Sequence, residues 1–250
     1  MPQSYFIWKD RDSRFMNVIC KGPAPIIKPE ERVKHIEIPG RSGDLTAVEG
    51  EIYREDWAPY IQTMSISVRG EKNVHQVLEW LRGSGYVTFS TDRWRRQRAR
   101  IIGAITLNRV SRNLDNYAGD IQFYCQPLKE RLADVEQTIN SGDASKIVVN
   151  EGDMWAKPLI KLTTTSTSVW LRITNSNGIN YRQIDIDMSN LSNQDIYIDC
   201  ETMEVYDSAQ TGWMTWRATV PNWPLLYNGE NTITGGGWSK AVFTKRERFL

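Results

Sequence analysis

The alternation of hydrophobic and polar residues predicts a chain built mainly from β-strands. Residues 62–70 show the pattern most clearly, because Met64, Ile66 and Val68 share one face and small polar residues occupy the other. Such a strand is expected to bury one side against a core. Similar patterns predict further strands in the first half of the chain, at residues 4–8, 34–38, 45–53, 86–90, 97–110 and 120–125.

One segment of the first half has helical periodicity instead. Within residues 73–82 the apolar side chains follow the i, i+3, i+4, i+7 spacing of a single helix face, at Val74, Val77, Leu78 and Leu81. Asn73 is expected to cap the start of this helix, and Gly83 is expected to end it.

The pattern changes near residues 127–150, where a domain boundary is predicted. Pro127 is expected to end the preceding strand, and the polar residues 128–140 predict a short helix or an extended connector. Beyond them, short strands separated by turns are typical of a β-sandwich. We therefore predict domains at 1–130 and 131–250. The strands predicted in the second domain are residues 146–150, 158–163, 168–174, 182–187, 196–200, 204–206 and 241–244.

Charge and cysteine content narrow the class of protein. The 31 Lys and Arg residues nearly balance 30 Asp and Glu residues, so there is no overall field to attract nucleic acid or an anionic membrane. The three scattered cysteines form neither a disulfide framework nor a zinc-ligand spacing, which indicates folding in a reducing cytoplasm. No signal peptide and no membrane span are expected from the sequence.

Residues for catalysis are not found in a recognisable arrangement. His35 and His75 belong to no metal motif, and residues 235–237, although all glycine, are predicted to form a loop that holds no phosphate. Asp185 and Asp187 could act as a carboxylate pair or bind calcium, but a solvated strand face is the preferred interpretation. We therefore expect no enzymatic activity, no cofactor and no metal.

An arginine-rich segment is the most conspicuous feature of the chain. Residues 91–100 contain Trp94 together with Arg93, Arg95, Arg96, Arg98 and Arg100. One hypothesis is nucleic-acid binding, with arginines on phosphates and Trp94 stacked on a base. The preferred hypothesis is a contact between subunits, because Arg and Trp are enriched at protein interfaces and the rest of the chain balances the charge.

A second group of aromatic residues lies near the end of the sequence. Its members are Trp213, Trp216, Trp223 and Trp238. They could stack on sugars of a host glycan, or they could serve packing. The packing interpretation is preferred, because Trp213 and Trp216 are three residues apart and would point to opposite faces of a strand.

The order of several motifs resembles one known family. The turn at residues 38–45 reads Ile-Pro-Gly-Arg-Ser-Gly-Asp-Leu, and Phe123, Cys125 and Pro127 form a Phe-x-Cys-x-Pro closure. In the second half, residues 158–161, 198–206 and 228–233 follow in the same order and spacing. Together they resemble the distal tail protein (Dit) family of siphophages over nearly the whole chain.

The resemblance implies a mainly β fold with one or two helices. It implies an N-terminal β-sandwich-like ring domain with one helix and a C-terminal galectin-like β-sandwich. The implied function is a hexameric ring in the virion tail tip, assembled in the cytoplasm of the bacterial host. The implied partners are copies of the chain, the tail tube protein, the tail-tip or tail-associated protein, and receptor-binding or baseplate proteins, with DNA only in transit through the central channel.

The arginine-rich segment and the resemblance together suggest candidate residues for the subunit interface or the lumen of the ring. In the turn they are Gly40, Arg41, Gly43 and Asp44, and they are joined by Trp94 and the five arginines of residues 91–100. A carbohydrate-binding module that recognises host wall glycan, using the four C-terminal tryptophans, is the alternative function.

Overall fold

The computed structural model describes residues 4–36, 45–48, 57–189, 191, 194–207, 212 and 214–250. Two compact units are present. Unit 1 comprises residues 1–132 and Leu250, and unit 2 comprises residues 133–249. The fold is mainly β, as predicted, with a single α-helix among the described residues.

Unit 1 is built on a curled antiparallel sheet. Its strands are β1 (Phe6–Trp8), β2 (Arg11–Asp12), β3 (Val18–Cys20), β4 (Val33–Ile36), β5 (Leu45–Val48), β6 (Tyr60–Arg69), β7 (Ser84–Phe89), β8 (Arg95–Ile102), β9 (Asn108–Arg109) and β10 (Asn116–Arg131). The order in the main sheet is β2-β1-β7-β8-β10-β6-β3, with β9 also paired to β10, while β4 and β5 pair with each other.

One face of this sheet forms the core of unit 1. Met64, Ile66 and Val68 of β6 are buried there, as the alternation predicted, beside a cluster of aromatic rings. Phe123 lies at its centre, with the rings of Phe6, Trp8 and Phe89 packed edge-on against it. The helix α1 (Glu71–Trp80) adds Val74 and Val77 to the same core.

The ends of α1 differ from the prediction. The residue before the helix is Gly70, with φ +89°, and glycine has no side chain that could cap the helix. Asn73 lies inside the first turn, where its amide donates to the Arg69 carbonyl. Asp115, from a distant loop, accepts a hydrogen bond from the Glu71 amide instead. Gly83 has φ +73° but lies beyond Trp80, at which the helix ends.

Two strand predictions in unit 1 were wrong in length. The strand predicted at residues 97–110 ends at Ile102, because Gly103 takes φ +72° and turns the chain. In the other direction, β10 does not stop at Pro127 but continues to Arg131. The pairing of β10 with β8 shifts register between Cys125 and Lys129, and a proline is tolerated in such a bulge because no ladder hydrogen bond is required of it.

Unit 2 is a sandwich of two five-stranded antiparallel sheets. Its ten strands are β11 (Glu136–Asn140), β12 (Ile147–Asn150), β13 (Leu159–Thr164), β14 (Ser168–Asn175), β15 (Tyr181–Asp187), β16 (Asp195–Asp199), β17 (Glu204–Asp207), β18 (Ala218–Pro221), β19 (Gly229–Gly236) and β20 (Trp238–Thr244). A short strand, β21 (Arg248–Phe249), follows and belongs to neither of the two sheets. One sheet has the order β11-β20-β13-β16-β17 and the other β12-β19-β14-β15-β18. The short helix or extended connector predicted at residues 128–140 is therefore wrong, because most of these residues belong to the strands β10 and β11.

Alternating side chains from both sheets of unit 2 fill one core. Leu171 and Ile173 from β14 meet Ile160 and Leu162 from β13, and all are fully buried. This arrangement follows from the period-two pattern of the sequence. It also leaves the outward faces of both sheets to polar and aromatic residues.

The glycines at 235–237 do not form the predicted loop. Gly235 and Gly236 end β19, and Gly237, with φ +79°, connects that sheet to β20 in the other sheet. A Cβ on Gly235 would lie 2.5 Å from Nε1 of Trp238, and one on Gly236 would lie 2.8 Å from Nε1 of Trp170. The glycines make room for two indole rings.

Candidate subunit interface

The arginine-rich strand β8 lies inside the main sheet of unit 1, between β7 and β10. Gln97 and Ala99 point into the core and are buried. Arg98 and Arg100 lie on the opposite face and are exposed, and Arg96 lies partly exposed beside them. The predicted alternation along this strand is therefore confirmed, and the sheet presents a row of guanidinium groups to the outside.

Arg96 and Arg98 share acidic and aromatic partners from the neighbouring strands. Their Nε atoms lie 3.6 and 3.9 Å from the Glu130 carboxylate on β10. Both guanidinium groups lie over the ring of Tyr86 on β7, at 4.4 and 5.7 Å from its centroid. Arg98 also donates to the Tyr86 hydroxyl at 3.0 Å. Because these groups are at least partly exposed, the network contributes little to the stability of the fold. Its main effect is to fix the orientation of the two guanidinium groups.

The start of the segment holds an exposed tryptophan. Trp94 is 71% exposed, and the Arg93 guanidinium lies 4.8 Å from its ring centroid. Arg95 lies 3.8 Å from Asp92, which also pairs with Lys129 at 3.5 Å. A large aromatic ring left in water beside cations is a typical anchor for another protein.

Arg100 belongs to a row that crosses three strands. It is paired in register with Tyr124 on β10, which is itself paired with Ile61 on β6. Ile61 is 49% exposed and Tyr124 is 37% exposed. The row therefore combines an aliphatic, an aromatic and a guanidinium group on one exposed sheet face, a composition found at the centres of protein interfaces.

Sequence reasoning identified the arginines but not their neighbours. Tyr86, Glu130 and Tyr124 come to the site through strand pairing, which the sequence does not specify. The exposure of Ile61 could have been predicted from the sequence, because Ile61 alternates in step with the polar residues Thr63 and Ser65 on the outward face of the strand. The other predicted members, Gly40, Arg41, Gly43 and Asp44, lie outside the described residues.

The C-terminal tryptophans that the structure describes lie in different environments. Trp238 is 3% exposed in the core of unit 2, with Nε1 donating to the Trp170 carbonyl at 3.3 Å, and Trp223 packs partly buried against the same core. Trp216 is 74% exposed, but it lies in a 3-10 turn (Thr215–Arg217), so the argument from strand faces was wrong. Trp213 lies outside the described residues.

The cysteines are all free and buried. Desolvation on burial raises the pKa of the Cys20 thiol to about 11 and that of Cys125 to about 12, and it raises the pKa of Cys200 as well. These thiols are protonated at neutral pH and make poor nucleophiles. In the described part of the chain, no three His, Cys, Asp or Glu side chains are grouped closely enough to hold a metal ion.

Within the described ranges, none of the helices reaches the length and apolar character needed to cross a bilayer. No protein-family model matches the sequence, and no curated protein does so. The fold, however, matches the crystal structure of SPP1 Dit (gp 19.1), described as a paradigm of the hub adsorption apparatus in Gram-positive infecting phages. The TM-score is 0.74 with 16% identity, and the match covers 100% of both chains. The two chains share one fold over their full lengths, including both units.

Proposed function

We propose that this protein is a distal tail protein, a structural component of a siphophage tail tip that assembles into a hexameric ring. The observation that carries the proposal is the match to SPP1 Dit over 100% of both chains. A shared fold alone can host many functions. Here the ordered sequence motifs resemble the Dit family as well, and that resemblance does not depend on the structure.

The exposed face of the unit 1 sheet supports assembly. A ring needs two different surfaces on each copy, so that a head-to-tail contact repeats and closes. The row of Ile61, Tyr124 and Arg100 supplies one surface with interface composition. The terminal strands β2 and β3 supply sheet edges that are unpaired on one side in the described part of the chain, and such edges are commonly covered by a neighbour.

The same row favours a subunit contact over a lumen wall. A channel for DNA that exposed many arginines would retain phosphate groups as they pass. Arg96 and Arg98 are partly neutralised by Glu130, and Arg100 is accompanied by apolar Ile61. In the proposed ring the lumen carries DNA in transit, while the tail tube, the tail-tip protein and receptor-binding or baseplate proteins bind the outer surfaces. No catalytic role is included.

The solution mass tests the ring. A hexamer would have six times the 28.9 kDa of one chain, about 173 kDa by light scattering on a sizing column. Ile61→Asp and Arg100→Glu should reduce the mass toward that of one chain, because each places an unpaired charge or a reversed charge in the contact. Lys72→Glu, a charge reversal on the exposed side of α1, is the matched control and should leave the mass unchanged.

A single-chain mass for the unmodified protein at high concentration would contradict self-assembly. A ring that survives both substitutions would instead contradict this placement of the contact. The nucleic-acid hypothesis needs two other variants, Arg96→Ala and Arg98→Ala, which on that hypothesis should lower a salt-dependent affinity for DNA. We expect no such affinity.

A further inference from the structure

The outward face of β14 and β15 in unit 2 carries a group of side chains that the ring does not use. Trp170 and Arg172 point outward from β14, while Leu171 between them is buried. Gln183 and Asp185 point outward from β15 directly opposite, paired with Arg172 and Trp170 respectively. Four large side chains that carry aromatic, cationic, amide and anionic groups therefore form one compact patch.

Hydrogen bonds link the polar members of the patch into one chain. Arg172 donates through Nε to Oε1 of Gln183 at 2.7 Å. The Gln183 amide nitrogen then donates to both oxygens of Asp185, at 3.0 and 3.1 Å. Arg172 makes this bond through Nε. Its two terminal amino groups donate to no side chain among the described residues. Guanidinium and carboxylate groups held in this way are pre-organised to bind adjacent donors and acceptors.

Aromatic rings lie at both ends of the patch. Trp170 is partly exposed and lies against Gly236, where any Cβ would meet the indole. Tyr181, on β15, is 52% exposed, and the Arg172 guanidinium lies 4.7 Å from its ring centroid. Tyr181 is paired with Thr174, four residues from Trp170, so the backbone positions that carry the two rings are about 13 Å apart along the strand direction.

We propose that this face binds a neutral saccharide. Sugars present an apolar ring face and adjacent hydroxyl groups, and the patch offers two aromatic side chains with a hydrogen-bonded row of donors and acceptors between them. The separation of the rings suits a short run of linked sugars. The charges of Arg172 and Asp185 balance, and the exposed Glu230 and Asp187 lie on the flanking strand β19 and on β15 itself, which disfavours phosphate-rich polymers.

Titration of the indole N–H resonances in the full-length protein tests this proposal. The probes are short soluble oligosaccharides of hexose and N-acetylhexosamine units, with a polyphosphate as the anionic comparison. The Trp170 resonance is assigned by its loss in Trp170→Phe. At least one neutral sugar should shift this resonance saturably, while polyphosphate should not.

Two further variants keep the test independent of folding. Arg172→Lys removes the planar guanidinium, and Asp185→Asn keeps the shape of the carboxylate but removes its charge; each should weaken binding about tenfold or more. Glu136→Gln, at an exposed position of β11 in the other sheet of unit 2, should leave the affinity within about twofold. Absence of any saturable shift, unchanged affinity in both variants, or binding of polyphosphate alone would overturn the proposal.

The saccharide site stands apart from the proposed ring. The three variants of the patch should leave the solution mass unchanged, since they lie on neither the arginine strand nor its neighbours. Loss of sugar binding with an unchanged mass supports the saccharide site without bearing on the ring.

Discussion

The chain carries two dense runs of charged residues, one at residues 93–100 in unit 1 and one at residues 245–248 in unit 2. In the first run, the strand β8 turns Arg98 and Arg100 to the outside. In the second run, Lys245 and Glu247 point inward and lie 3.2 Å apart, with side chains only 6% and 1% exposed. Both runs are dense in charge, but only the second buries two of its charged side chains almost completely.

The buried pair is also fully hydrogen-bonded. Lys245 Nζ donates to the Val149 carbonyl at 2.8 Å, and Glu247 accepts from the Glu151 amide at 2.9 Å. These bonds connect the C-terminal segment to the end of β12 and the residue after it. A buried charge without such partners would be strongly unfavourable, so the pair and its backbone partners are required together.

The alternate residues of the second run pair with acidic residues at the end of β16 and just after it. Arg246 binds both oxygens of Asp199, at 2.7 and 3.1 Å, and Arg248 pairs with Glu201. Asp199 also accepts hydrogen bonds from the backbone amides of Glu201 and Thr202. The second run thus fixes its own segment in place, whereas the first run places Arg98 and Arg100 on an exposed sheet face.

The largest predicted effect comes from breaking the buried pair. Glu247→Ala leaves Lys245 buried without its counter-charge, which should reduce the free energy of unfolding by about 3–5 kcal/mol. This free energy is measured by chemical denaturation of the full chain, monitored by tryptophan fluorescence. The double variant Lys245→Met with Glu247→Leu should recover most of the loss, since it removes both charges together. A loss below about 1 kcal/mol for Glu247→Ala would contradict the assignment.

A smaller and pH-dependent effect is predicted at Asp199. Burial opposes ionisation of this carboxyl, but the Arg246 guanidinium and two backbone amides outweigh burial and lower its pKa. Because the folded pKa lies below the unfolded value of about 3.9, the stabilisation is present above that value and is lost as pH falls through the folded pKa. Asp199→Asn should cost about 1.5–3 kcal/mol at neutral pH.

The Asp199 prediction is checked by unfolding free energies between neutral and strongly acidic pH. The unmodified protein should lose stability more steeply in acid than Asp199→Asn does. Parallel curves for the two proteins would exclude the contribution of this carboxylate. Glu136→Gln, at an exposed position of β11, is the control and should follow the unmodified protein.

The exposed network of the first run should contribute less. A double-mutant cycle on Arg96→Ala and Glu130→Ala is expected to give a coupling free energy of about 0.2–1 kcal/mol, as for other partly exposed ion pairs. The cycle is measured in the same denaturation experiment. A coupling as large as that of the Lys245 and Glu247 pair would remove the contrast between the two runs.

The smallest effect on stability is predicted at Arg100. Arg100→Ala should change the free energy of unfolding by no more than about 0.5 kcal/mol, because the side chain is exposed and pairs with no acid among the described residues. The same substitution should still weaken self-association in light scattering. Lys72→Ala is the matched control for both measurements, and equal behaviour of the two variants in association would argue against a role for Arg100.

Much of the fold follows from local pattern. Alternation placed Met64, Ile66 and Val68 inside and the even-numbered arginines of β8 outside, because neighbouring side chains of a strand point to opposite faces. Helix periodicity placed Val74 and Val77 in the core. Predictions failed where a distant residue intervened. Asp115 rather than Asn73 accepts a hydrogen bond from the first backbone amide of α1. A bulge lets β10 continue beyond Pro127.

The candidate sites divide in the same way. The sequence alone determined most of the elements, the alternation that exposes Arg98 and Arg100, and the resemblance to distal tail proteins. Strand pairing in the tertiary structure decided the rest: it brought Glu130 to the arginines, set Asp185 opposite Trp170, and buried the charges of Lys245 and Glu247. The physical reason is that alternation depends on adjacent residues, whereas register and burial depend on contacts between segments far apart in the chain.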